Sequence, residues 1–166
     1  MVDCKKKLQE LIEADQALES RRREFMQSCT EEVVQLIQET LKSQPGRASA
    51  FRFALALPAE QREKLFPDLL QLTCESSYVP TIVHAREVIL TLPRLQVVDQ
   101  MEASADSALK TKEEWAWRRF LELAAFLDRD LTVRLAKRAM QHSDSTIRDV
   151  GAEFLANPNP PSIRPT

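Results

Sequence analysis

Glycine is nearly missing from this chain of 166 residues: Gly46 and Gly151 are the only two. A glycine-rich phosphate loop therefore has no place to form, and neither a nucleophile elbow nor a His-Glu-x-x-His metal motif occurs. Cysteine is also sparse. Cys4, Cys29 and Cys74 are odd in number, far apart and never in a Cys-x-x-Cys pair, which argues against a disulfide framework or a zinc site and for reduced thiols. No apolar run approaches the ~20 residues a membrane helix requires, and none follows the lysines of MVDCKKKLQELIEADQ as a signal peptide would demand. An excess of one charge is missing too. The formal value of -2 sets 23 basic against 25 acidic residues, and residues 60–110 hold five basic and eight acidic, the reverse of what neutralises phosphates. These absences lead us to expect a cytoplasmic protein with no membrane segment, metal or cofactor. Its expected partner is a protein rather than a nucleic acid.

What is abundant favours helix. Leu, Ala, Glu, Lys, Arg and Gln dominate and β-branched residues are scattered, so an all-α fold is expected. At this length one domain over 1–156 is expected, able to bury roughly 70% of the unfolded chain's surface, with 157–166 as a flexible proline-rich tail. Leu8, Leu11, Ile12, Leu18, Phe25 and Met26 recur at helical spacing, as do Val33, Val34, Ile37 and Leu41. Thr30 followed by Glu31 and Glu32 reads as a cap, which splits 1–44 into two helices near Ser28; one long helix to Ser43 is the alternative. With Leu8, Leu11, Leu18 and Phe25 on one side, this segment is expected to pack on the body or on a second copy. The motif SQPGR, from Ser43, ends it.

Pro58, Pro67, Pro80 and Pro93 then each sit where a first-turn proline opens a helix. The expected rods are 47–56, 59–74 with a kink or break at Phe66-Pro67, 79–91 and 94–109. Thr111 to Glu114, TKEE, reads as a capping box for a helix running to about Leu127. Asp130 and Asp144 are cap candidates for 131–142 and 145–156.

Those last two helices repeat one another. In DLTVRLAKRAMQH and DSTIRDVGAEFLAN, fourteen residues apart, Asp, Thr, Val or Ile, and Arg fall in register, and VPTIVHAREVILTLP from Val79 repeats the apolar spacing. Short helices with one apolar stripe each must stack to bury it. Asp130, Val133, Arg134 and Ala136, and again Asp144, Ile147, Arg148 and Val150, resemble the HEAT and armadillo class of α-helical repeats, best over 112–156. The resemblance implies a short α-solenoid of antiparallel helix pairs over 47–156. An irregular helical bundle is the other possibility.

Both tryptophans fall in WAWRRF, Trp115 to Phe120. On a helical wheel Trp117 joins Phe120, Leu121, Ala124 and Leu127, a core stripe. Trp115 joins Arg118, Arg119 and Glu122 on a mixed flank, where its ring can stack on Arg119. Tryptophan and arginine dominate protein-binding hot spots, so these four form the candidate partner-binding face. No catalytic residue is assigned. His84 lies off its helix's apolar stripe, His142 closes a helix, and Cys74 reads as a packing residue. The expected function is a non-catalytic protein-binding module or scaffold, with an inhibitor or immunity-type protein as a specific form. The alternative is DNA binding or glycosylase activity, because EEWAWRRF is similar in flavour to the DNA-alkylation-repeat glycosylases.

Overall fold

The computed structural model describes residues 4–27, 30–75, 77–108 and 113–158, and every regular element among them is an α-helix. The fold is all-α, as scarce glycine and three- and four-residue apolar spacing require. The chain divides into two compact units, residues 1–58 and 59–166.

The first unit holds α1 (Cys4–Gln27), α2 (Thr30–Lys42) and α3 (Arg47–Ala56). α1 and α2 lie on either side of the expected break at Ser28, itself outside the described residues. α2 buries Val33, Val34, Ile37 and Leu41, the stripe its spacing marks, and places Glu31 and Glu32 in its first turn and Lys42 in its last. Both charge placements suit the helix dipole. Arg47 closes its C-terminus by donating from Nε to the carbonyl of Leu41 (2.6 Å) and from Nη2 to that of Lys42 (3.3 Å). The turn between them passes so close to α2 that a Cβ on Gly46 would stand 2.6 Å from Thr40 Cγ2. α1 is different: none of its residues is buried, and its ring contact to α3 is Phe25 on Phe53, centroids 5.3 Å apart.

The second unit contains α4 (Ala59–Glu63), α5 (Phe66–Glu75), α6 (Val79–Leu90), α7 (Arg94–Ala108), α8 (Glu114–Leu127), α9 (Arg129–Ala139) and α10 (Ser145–Ala156). Pro93 directly precedes α7, while Pro67 and Pro80 are second residues of α5 and α6, where no intrahelical acceptor awaits the missing N–H. The interruption expected at Phe66-Pro67 comes slightly earlier. Lys64 and Leu65 close a turn on the carbonyls of Gln61 and Arg62 before α5 begins.

Two caps differ from expectation. Asp128, not Asp130, caps α9: its backbone is extended (φ -158°, ψ 129°), which aims Oδ1 at the Leu131 N–H, 2.8 Å away. Asp130 lies inside the first turn, so Asp130 and Asp144 are not equivalent positions. Asp144 does cap α10, accepting from the Thr146 N–H at 2.9 Å. At α8 the cap position belongs to Glu113, which makes no side-chain cap bond; Thr111 of the expected capping box lies outside the described residues, as does 159–166 of the tail.

α5 packs on α6, α8 on α9, and α9 on α10, while α8 also touches α5, α7 and α10. Phe66, Leu69, Ile82, Ile89, Phe120, Leu131, Leu135, Ile147 and Phe154 are all fully buried between them. α10 approaches α9 closely at Gly151, where a Cβ would meet the Ala136 carbonyl oxygen at 2.8 Å.

Polar links join these helices and their ends across 29 to 36 residues of chain, the shortest from Arg62 Nη1 to Thr91 Oγ1 at 2.7 Å. Gln96 on α7 donates to Glu63 on α4, 33 residues away; Arg94 on α7 to Asp128, 34 away; Arg134 on α9 to Glu102 on α7, 32 away. Arg86 on α6 reaches Glu122 on α8, 36 away, and Arg118 on α8 reaches Glu153 on α10, 35 away. These links join α4 to α7, α7 to α9, α6 to α8 and α8 to α10, and Arg94 at the start of α7 reaches the Asp128 cap between α8 and α9.

Candidate protein-binding surfaces

The residues of WAWRRF separate as the wheel requires. Trp117 is 6% exposed and turns its ring edge toward His142, centroids 6.0 Å apart, whereas Trp115 remains 38% exposed. The guanidinium carbon of Arg119 stands 4.6 Å from the centroid of the Trp115 ring, a cation–π pair one helical turn long. Burial pulls Arg119 below the ordinary arginine range, and the nearby charge of Arg86 adds to this.

Arg118 and Glu122 share this flank of α8 but are occupied by neighbouring helices. Arg118 holds Glu153 of α10 in a two-pronged clamp, Nη1 and Nη2 each 2.8 Å from a carboxylate oxygen, with Glu114 at 3.6 Å. The clamp holds Glu153 below the usual carboxylate range. Glu122 accepts from Nη2 of Arg86 at 2.7 Å, and the same nitrogen donates to the Arg119 carbonyl at 3.1 Å. The Arg86 side chain is completely buried, so Glu122 balances a charge inside the unit. Of the four expected contact residues, Trp115 is exposed with the half-buried Arg119 against its ring, and Arg118 and Glu122 fix the helix that carries them.

Cys74 is buried, and His142 is held by local hydrogen bonds. Burial pushes the Cys74 thiol up to about 12, in spite of Arg86 and Arg119, so it stays protonated and unreactive near neutral pH. His142 accepts the Asp144 N–H on Nδ1 at 3.1 Å, and its carbonyl accepts from Arg148 at 2.9 Å; it organises the α9–α10 turn. His84 sits on the surface, 3.4 Å from Glu87. Among the described residues no three metal-ligating side chains cluster, and no helix is long and apolar enough to cross a membrane.

Among the described residues, α1 carries a stripe of exposed apolar side chains. Leu8, Leu11, Ile12 and Leu18 are 60%, 68%, 42% and 46% exposed, within about one-third of the helix circumference. Their spacing was legible in the sequence; that no other helix of the first unit buries them was not. Arg86 was missed altogether, although a charged residue inside the apolar run TIVHAREVIL, one position after Ala85, was a signal that it needed an internal carboxylate. No protein-family model, no curated protein and no solved structure matches the chain.

Proposed function

We propose that this chain is a non-catalytic protein-binding module, a short helical-repeat scaffold of the cytoplasm whose specific form is an inhibitor or immunity-type protein. The observation that carries the reading is the stripe on α1. Leu8, Leu11 and Ile12 stand at i, i+3 and i+4, the anchor pattern by which an amphipathic helix enters the groove of another protein, and Leu18 extends it two turns further. Covering each of these side chains is worth on the order of 1–2 kcal/mol. A helix with no buried residue of its own is only marginally stable in water, so a partner that covers the stripe also stabilises the helix.

The repeat part of the reading is supported by the polar links across 29 to 36 residues of chain, because links of similar span are what stacked helix pairs produce. A protein partner is favoured over a polyanion because Arg118 and Arg134 are each matched by carboxylates. The cytoplasmic assignment is supported by Cys4 and Cys74, both thiols.

Affinity capture from the native cell with the full chain tests the reading. It should return one dominant protein in stoichiometric amount, and Leu11→Glu with Leu18→Glu should abolish its recovery while circular dichroism stays unchanged. Trp115→Ala with Arg119→Ala is the parallel variant for α8. Recovery that survives both pairs of substitutions removes both surfaces.

A further inference from the structure

The C-terminal turns of α1 and α3 enclose a cavity of about 330 Å³. Its apolar lining includes Met26 and Phe53, both half-buried, with the Phe53 ring centroid 5.3 Å from that of Phe25. Arg22, Arg23 and Arg52 also line it, with one carboxylate, Glu19. Glu19 lies 3.4 Å from Arg22, and Arg23 and Arg52 make no ion pair among the described residues. Three cations against one anion leave two positive charges beside Met26 and Phe53.

Guanidiniums take up carboxylates in paired hydrogen bonds, and a lining of thioether and ring takes up one large apolar side chain. The volume falls at the small end of ligand sites, enough for a few residues of a peptide and too little for a folded surface. We infer that this cavity binds an acidic peptide segment in which Asp or Glu flanks one large apolar residue. The inference rests on the protein-binding reading and locates a second point of contact with the same partner, at the far end of the helix whose free half bears the leucine stripe.

Fluorescence polarisation with the full chain tests it directly. The probe is a labelled decapeptide with Glu on either side of a Phe; comparison peptides replace Phe by Ser or the Glu residues by Lys. The Glu-Phe-Glu peptide should bind, and both comparison peptides should bind at least about tenfold more weakly, a loss equal to about 1.4 kcal/mol. Arg23→Glu with Arg52→Glu should weaken binding by a similar factor, and Ala56→Trp, which fills the cavity without altering charge, should do the same while circular dichroism is unchanged. The inference is overturned if the Glu-Phe-Glu peptide fails to bind, if the Ser peptide binds equally, if millimolar inorganic phosphate displaces the probe, or if the variants bind like the parent. Partner capture by Arg23→Glu/Arg52→Glu keeps the two proposals apart: undiminished capture removes the cavity as a contact while leaving the α1 stripe in place.

Discussion

Replacing Glu122 by alanine should destabilise the second unit rather than merely weaken a surface. The Arg86 side chain is 0% exposed and Glu122 13%, so the substitution removes the carboxylate 2.7 Å from a guanidinium that no water can reach. Breaking a buried pair from one side costs about 3–5 kcal/mol. The Arg119 carbonyl still accepts from Arg86, which places the expectation near the lower end, about 3 kcal/mol. Urea unfolding followed by tryptophan fluorescence is the assay, because Trp115 and Trp117 both belong to this unit. With a slope of about 2 kcal/mol per molar urea, the midpoint should fall by about 1.5 M. Arg86→Met combined with Glu122→Leu should recover most of that loss, since an apolar pair of similar volume leaves no charge buried. A shift under about 0.3 M for Glu122→Ala, or a double variant as unstable as the single, would refute the assignment of Glu122 to the interior.

Three further outcomes follow from the same geometry. Gly151→Ala should lower stability by about 1–3 kcal/mol in urea unfolding, because its Cβ meets the Ala136 oxygen at 2.8 Å and the Met140 nitrogen at 2.9 Å, outweighing the ~1 kcal/mol that alanine gains in helix propensity; a neutral or stabilising effect would contradict the close approach. Stability should hold from pH 7 to about 5 and fall below that. Hydrogen bonds from Arg118 and Arg134 hold Glu153 and Glu102 below the usual carboxylate range, so the unfolded chain binds more protons and the contribution disappears as pH drops through the lowered folded values. The urea midpoint measured at pH 7, 5 and 3 should slope less in Glu153→Gln with Glu102→Gln, and an unchanged slope would exclude these clamps as its source. Iodoacetamide at pH 8 should label Cys4, which is exposed, and spare Cys74 until denaturant is added; labelling of Cys74 at the rate of Cys4 would contradict its burial.

The helices were legible in the sequence because their signals are local. Pro67, Pro80 and Pro93 punctuate the chain, and the stripe from Val33 to Leu41 or from Trp117 to Leu127 needs only period 3.6. The cap at Asp128 was misplaced by two residues because Asp128 and Asp130 are chemically alike, and only the extended backbone at Asp128 separates them. The candidate face was half legible. Spacing placed Trp115 over Arg119, but the carboxylates that take up Arg118 and the buried cation that takes up Glu122 lie 35 and 36 residues away, beyond any helical wheel. The polar links were hidden for the same reason: they join residues 29 to 36 apart, well beyond the fourteen-residue spacing of Asp130 and Asp144. The α1 stripe shows the opposite limit, since periodicity marks an apolar face without telling what covers it.

Hydrogen exchange along α1, measured on the full chain alone and with its captured partner, bears most directly on the central claim. Amides from Leu8 to Leu18 should exchange quickly in the free protein, since this half of the helix has no buried residue to hold it closed. Binding should slow them strongly, with smaller changes in the second unit. Unchanged exchange across Leu8 to Leu18 in the complex, with protection confined to other helices, would contradict the assignment of this stripe as the surface that meets the partner.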